Sequence, residues 1–251
     1  VSGPHIPVLG VVPLVHDDRQ APGGCAALRR LRDVPLVRRA VGALVRSGAV
    51  DSVLVPVPPA LVDEIDEVLA PLPRPVKVEV LGIRDNGPGA RLLAALTVRT
   101  APEGGAVVVH DPLHPLAPAA LVAAVVATLL GATEGDCAGV LPVRPVTDTL
   151  KWVDDDDVVT GTADREGFRM VYSPQAYRTE VLMRALSGAD AAMLRAVGAD
   201  RLPRLVQGVG GTLHTVPAPG EVFRIATAED LVLADAMLHV GADVDDERGS
   251  R

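Results

Sequence analysis

An α/β domain with a mainly parallel sheet, helices on both faces and one projecting β-hairpin is the fold class this chain predicts, on three observations. Short apolar runs alternate with segments of helical spacing through most of its length, the pattern of βαβ units. The runs are nearly continuous in apolar residues rather than alternating, as strands are when helices cover both faces of a sheet. Past the middle the alternation breaks at two β-like runs around Asp154-Asp155-Asp156-Asp157, four carboxylates that a core cannot hold.

Val8 to Pro13 is expected as the first strand, and Pro35 to Arg46 has helical spacing. Ser52 to Val57 reads as the second strand and Pro59 to Leu69 as the second helix, with proline where a helix start tolerates it. Val76 to Leu81 is a third strand and Ala90 to Val98 a short helix. Ala106 to His110 is a buried strand, Ala117 to Leu130 a long helix and Ala138 to Val143 another strand. Thr147 to Val153 and Val158 to Thr162 make the hairpin, an arm covering about 147–165. Tyr177 to Leu186 and Ala228 to Leu238 read as helices, the latter with Thr227 as N-cap and Glu229 and Asp230 at the positive end of its dipole. The expectation is one domain over 1–242, followed by a polar, frayed tail over 243–251.

The 251 residues, 48% of them hydrophobic, suffice for one large domain with a buried core. A formal net charge of −8 is the wrong sign for gripping a nucleic-acid backbone, and aromatics at 2% leave no base-stacking platform. Arg29, Arg30, Arg32, Arg38 and Arg39 are interleaved with leucine and valine and read as the wet side of an amphipathic segment. Cys25 and Cys137 are too few for a disulfide framework, and no uninterrupted apolar run reaches the roughly 18 to 20 residues of a membrane span. With no charged and then apolar leader at the start, the expectation is a cytoplasmic protein without membrane or nucleic-acid partners.

Several segments could carry chemistry. Asp111 follows a buried strand, and the carboxyl ends of parallel strands are where ligands collect. His110 and His114 flank it, but Pro112 and Pro115 disfavour a helical face that would align both imidazoles on zinc. The aspartate run 154–157 is a solvated turn before it is a metal site, since adjacent residues rarely converge on one ion. His16 is a conceivable base without a partner in view.

Taken in order, Val11-Val12-Pro13, Val109-His110-Asp111, Pro142-Val143-Arg144, Asp148-Thr149-Leu150-Lys151, Thr162-Ala163-Asp164-Arg165-Glu166-Gly167-Phe168, Ser173-Pro174-Gln175 and Ala228-Glu229-Asp230-Leu231 resemble the 2-C-methyl-D-erythritol 4-phosphate cytidylyltransferase family over about Val8 to Leu238. The resemblance implies a Rossmann-like nucleotidyltransferase domain and a homodimer interlocked by the hairpin arms. CTP and Mg²⁺ would be cosubstrate and cofactor, and a sugar-alcohol phosphate site would be completed by the neighbouring arm. By similarity Thr149, Arg165 and Ser173 hold the acceptor phosphate and hydroxyls, Asp111 lies near the acceptor or the metal, and Arg224 takes the place of an active-site lysine.

The nucleotide side departs from the family pattern. Its first loop runs through small residues into an arginine and a Pro-Lys pair, because a triphosphate needs bare backbone N–H groups. Here Leu14, Val15 and His16 stand at small positions of that nucleotide-binding loop, and Asp17 and Asp18 would bring negative charge beside the phosphates. Arg19 or Gln20 occupies the loop arginine position, and the lysine position falls on Ala26 or Ala27. Arg91 stands where a serine contacts the cytosine, and His114 replaces an arginine. Two readings stay open: a nucleotidyltransferase whose lost cations are replaced by Arg19, Arg91 or Arg224, and a catalytically silent dimeric paralogue that binds a phosphorylated ligand or a protein partner.

Overall fold

The computed structural model describes residues 5–14, 25–73, 75–84, 87–99, 101, 103–133, 135–198 and 201–249. In chain order these form β1 (Val8–Val11), β2 (Arg30–Leu31), β3 (Val34–Pro35), α1 (Leu36–Arg46), β4 (Ser52–Val57), α2 (Val62–Leu69), β5 (Lys77–Gly82), α3 (Pro88–Val98), β6 (Ala106–Val109) and α4 (Ala119–Gly131). There follow β7 (Gly139–Pro145), β8 (Lys151–Val153), β9 (Val159–Thr162), β10 (Arg169–Val171), β11 (Gln175–Arg178), α5 (Thr179–Ser187), α6 (Ala191–Arg195), α7 (Leu202–Gly208), β12 (Leu213–Pro217) and α8 (Ala228–Gly249).

The sheet is a parallel block, β5, β4, β1, β6, extended by antiparallel β11. Next comes β7, which pairs β10 and β11 antiparallel along successive stretches and β12 in parallel. The valine-rich β1, β4 and β6 are buried along almost their whole lengths because helices cover both faces. One face packs Val37, Val41 and Leu44 of α1, Ile65 and Leu69 of α2, and Leu121, Val125 and Leu129 of α4. The other packs Leu92 and Leu96 of α3, Leu182 and Leu186 of α5, and Val206 of α7. A smaller core of Leu31, Leu36, Leu113, Ile225 and Ala234 joins the β2–β3 hairpin, the exit of β6 and α8.

The arm is a separate two-stranded hairpin, β8 with β9, whose turn is set by Asp154: its Oδ1 accepts from the N–H groups of Asp156 and Val158. Two sequence expectations change. Tyr177 belongs to β11 and not to a helix; it is fully buried, pairs with Val107 and Gly139, and hydrogen-bonds through its hydroxyl to Gln175, so α5 begins only at Thr179. The helix starting at Ala228 continues through 243–249, where a frayed tail was expected. Arg30 and Arg32 are exposed and Arg29, Arg38 and Arg39 half-buried, on the wet side of a segment whose Leu31, Leu36 and Val37 are buried; in addition Arg29 and Arg32 donate to backbone carbonyls of 225–238, and Arg39 donates to the Leu31 carbonyl.

Candidate active site

The carboxyl ends of β1 and β6 open side by side, as parallel pairing requires, and β6 carries the chain into His110 and Asp111. Asp111 is 8% exposed. Its Oδ1 accepts from the Leu113 N–H at 2.9 Å, and Oδ2 lies 3.4 Å from Arg224 Nε and 3.5 Å from His114 Nδ1. Burial alone would raise its pKa. The neighbouring His114, the Leu113 N–H and the Arg224 charge outweigh burial and bring it down to about 2, so Asp111 is a carboxylate at neutral pH. His114 is buried, stands edge-on to Tyr172, and its Nδ1 makes no hydrogen bond of good geometry among the described residues.

Ser173 holds this corner together. It is fully buried, in the break between β10 and β11, and its hydroxyl accepts from the Asp111 N–H at 2.8 Å and meets His110 Nδ1 at 3.0 Å. Sealed in the core and engaged by these groups, the Ser173 hydroxyl fastens Asp111. His110 is held neutral, its pKa lowered to about 3 by burial and then by His114, against a smaller opposing pull from Asp111.

Arg224 is the exposed member of the cluster. Only its Nε is engaged, by Asp111, and its two Nη groups bond no described residue. Its guanidinium is an exposed cation held beside the Asp111 carboxylate.

Leu14 is fully buried in the core, and its carbonyl accepts from Arg91 Nη2 at 2.7 Å. Arg91, 4% exposed in the first turn of α3, therefore secures the end of the β1 segment from inside instead of facing a ligand with a free guanidinium. Arg91 and Leu14 thus form a structural contact between α3 and the chain three residues past β1. Val15, His16, Asp17, Asp18, Arg19 and Gln20 lie outside the described residues. The start of α3 is itself pressed against the α6–α7 region, where a Cβ on Gly89 would come within 2.7 Å of Val197 Cβ. Pro13, Pro88, Leu92, Val109, Val197, Gly198 and Leu202 line a narrow apolar cleft there that ends on Asp111.

Thr149 and Arg165 sit at the base of the arm, both exposed, with Arg165 Nη1 donating to the Thr147 carbonyl. Among the described residues no hydrogen bond or ion pair joins them to Asp111 or Arg224. The expected site residues therefore fall into two groups, one on the body and one on the arm. Among the described residues no cluster of three or more His, Cys, Asp or Glu could hold a metal on its own. A single ionised carboxylate with one loosely held oxygen, as Asp111 is, does suit Mg²⁺, which takes one or two protein carboxylates and completes its shell with phosphates and water. Arg29, whose contacts reach the segment carrying Arg224, was missed because no local sequence signal marks a contact across nearly the whole chain.

Compared with known proteins, residues 14–240 match the family model described as 2-C-methyl-D-erythritol 4-phosphate cytidylyltransferase. Proteins of that name from Frankia casuarinae and Rhodococcus opacus are 35% and 37% identical to the chain. These matches cover 97% and 82% of this chain and 85% and 84% of the relatives. Among solved structures, a 4-diphosphocytidyl-2C-methyl-D-erythritol synthase from Anaerococcus prevotii superposes with a TM-score of 0.74 at 16% identity, over 93% of this chain and 99% of that one. The 2-C-methyl-D-erythritol 4-phosphate cytidylyltransferase of Thermus thermophilus gives 0.66 at 25% identity, over 93% and 98%.

Proposed function

We propose a function from the premise that this chain belongs to the 2-C-methyl-D-erythritol 4-phosphate cytidylyltransferase family: it transfers CMP from CTP to 2-C-methyl-D-erythritol 4-phosphate. The observation that carries the reading is the Asp111–Arg224 pair, an ionised carboxylate at a strand end that steers a cation whose outer nitrogens bond no described residue.

In this reaction a phosphate oxygen of the acceptor forms a bond to the α-phosphorus of CTP while the bond to the pyrophosphate oxygen breaks. The protein's share is to bring two anions together and to neutralise the charge that builds between them. Arg224 offers its Nη groups to a phosphate while Asp111 fixes the Nε edge of the same guanidinium. Asp111 is also the residue that would hold Mg²⁺, which when bound supplies positive charge to the phosphate oxygens. Thr149 and Arg165 reach an acceptor from the arm of a second copy, so the active unit is a homodimer. Support for the dimer comes from the arm itself, where Trp152, Val153, Val158 and Val159 are each more than half exposed on a hairpin that has no core of its own.

The test is to incubate the purified protein with CTP, Mg²⁺ and 2-C-methyl-D-erythritol 4-phosphate and follow pyrophosphate. Steady release is expected. A protein that neither releases pyrophosphate nor binds CTP would instead be the silent paralogue, a reading favoured by the carboxylates of Asp17 and Asp18 in the segment that takes the place of the family's phosphate loop.

A further inference from the structure

Arg224 hangs from a strap between β12 and α8, and the backbone beside it is tied from three directions. The Ile225 N–H donates to the Leu113 carbonyl at 2.7 Å, two residues past Asp111. Asp230 Oδ2 accepts from the N–H groups of Ala226 and Thr227, both at 2.8 Å. Arg29 closes the third side: its Nη2 donates to the Ile225 carbonyl at 2.9 Å and its Nη1 to the Thr227 carbonyl at 3.4 Å. Ile225 itself is fully buried against Leu31, Leu36, Leu113 and Ala234, so the strap cannot slide without opening that small core.

The partners of Arg29 define its task. Its Nε is buried without a hydrogen bond among the described residues, so the guanidinium makes no use of that donor, and the two carbonyls it does hold bracket one short stretch next to Arg224. A planar fork can span two carbonyls at a fixed separation in a way an ammonium cannot. The Arg224 Nε contact to Asp111, at 3.4 Å, is long, and a small drift of the strap is enough to lose it.

We propose that Arg29 is a positioning residue for Arg224: by clamping the carbonyls of Ile225 and Thr227 it sets where the Arg224 guanidinium meets Asp111 and the incoming phosphate. Arg29 directly follows the short 3-10 turn Ala26–Leu28, so the same clamp fixes the chain leaving residues 15–24 against the acceptor-side cation. The part played by Arg224 rests on the function proposed above; the clamp does not.

The experiment compares wild type, Arg29→Gln, Arg29→Lys, Arg224→Gln and the Arg29→Gln/Arg224→Gln double variant. Amide exchange of the unliganded proteins reads the clamp. Faster exchange confined to 225–227 and the first turn of α8 is expected in Arg29→Gln, with partial recovery in Arg29→Lys. In steady-state kinetics Arg29→Gln should raise KM for 2-C-methyl-D-erythritol 4-phosphate on the order of ten-fold and leave KM for CTP nearly unchanged. The double variant should be no worse than Arg224→Gln alone, because a residue acting through Arg224 has nothing left to act on. Unchanged exchange at 225–227, exchange raised throughout the domain, or additive kinetic losses would each overturn the assignment. A wild-type protein without turnover would remove the proposed reaction and leave the clamp to be decided by the exchange data alone.

Discussion

Asp111 and Thr149 stand on opposite kinds of structure. The first ends a strand paired on both sides, its carboxylate and backbone held by Leu113, Arg224 and Ser173. The second leads into a hairpin whose strand residues are almost all exposed and whose apolar side chains, Trp152 and Val153 among them, touch no core. A buried group is oriented by the folding of its own domain. An isolated two-stranded hairpin is marginal in water, and its residues gain a fixed place only when something covers the apolar side. On the proposed function, the described body residues of the site are oriented within one chain, whereas the arm residues would gain their place on assembly.

The contrast breaks most sharply at Asp111. Asp111→Asn keeps an oxygen for the Leu113 N–H and removes the charge, so the fold should survive while turnover falls by about 10²- to 10³-fold. Thermal unfolding and steady-state rates measured on the same preparation check both halves of that statement. On the arm, Arg165→Ala should leave unfolding unchanged, because the side chain is exposed, and weaken acceptor binding by about 1.5 to 3 kcal/mol. Mixing the two impaired variants, at an acceptor concentration well below the KM of Arg165→Ala so that its homodimers contribute little, sharpens the comparison. If the arm serves the neighbouring subunit, mixed dimers carry one site with both halves intact, and re-equilibrated equimolar mixtures should recover about a quarter of the wild-type rate. No recovery would return the arm to its own subunit.

Trp152→Ser tests assembly directly. Removing a large exposed aromatic from the apolar side of the arm should weaken dimerisation by about 2 kcal/mol, roughly thirty-fold, seen as a monomer population by sedimentation. The folded subunit should stay intact, because Trp152 contributes nothing to either face of the main sheet. Ser173→Ala probes the body in the opposite sense: it strands the buried Asp111 N–H and should cost about 1.5 kcal/mol of stability by denaturant titration. Were Ser173 an acceptor ligand instead, its loss would raise KM and spare stability.

What the sequence disclosed follows the same division. Strands β1, β4, β6 and β7 were legible because continuous valine-rich runs have few other uses, and the arm because four aspartates exclude a core. Tyr177 misled, since an apolar run that passes from a strand directly into a helix has no punctuation at the change of period. At the site, Asp111 was picked out by its place after a buried strand. Ser173 and Arg91 were picked out by their place in the family pattern, and a pattern records position and says nothing of which way a side chain faces: only the fold reveals that the Ser173 hydroxyl meets the Asp111 N–H and that the Arg91 guanidinium reaches the Leu14 carbonyl. Arg29 was legible as a charge and not as a contact, its partners lying 196 and 198 residues away.

The smallest effect belongs to the arm's acidic turn. Asp155 is exposed, and its side chain makes no hydrogen bond to any described residue, whereas Asp154 Oδ1 takes two backbone N–H groups and Asp157 adopts a left-handed conformation at φ 59°. Asp155→Asn removes one charge from a run of like charges and should shift stability by less than about 0.5 kcal/mol, with no change in turnover or in its Mg²⁺ dependence. Asp157→Gly relieves the left-handed backbone without touching the carboxylate that shapes the turn, and should be equally quiet or slightly stabilising. A marked loss of metal-dependent activity in Asp155→Asn would show that the tip of the arm reaches chemistry, and the boundary between a catalytic body and an assembling arm would then have to be redrawn at the turn itself.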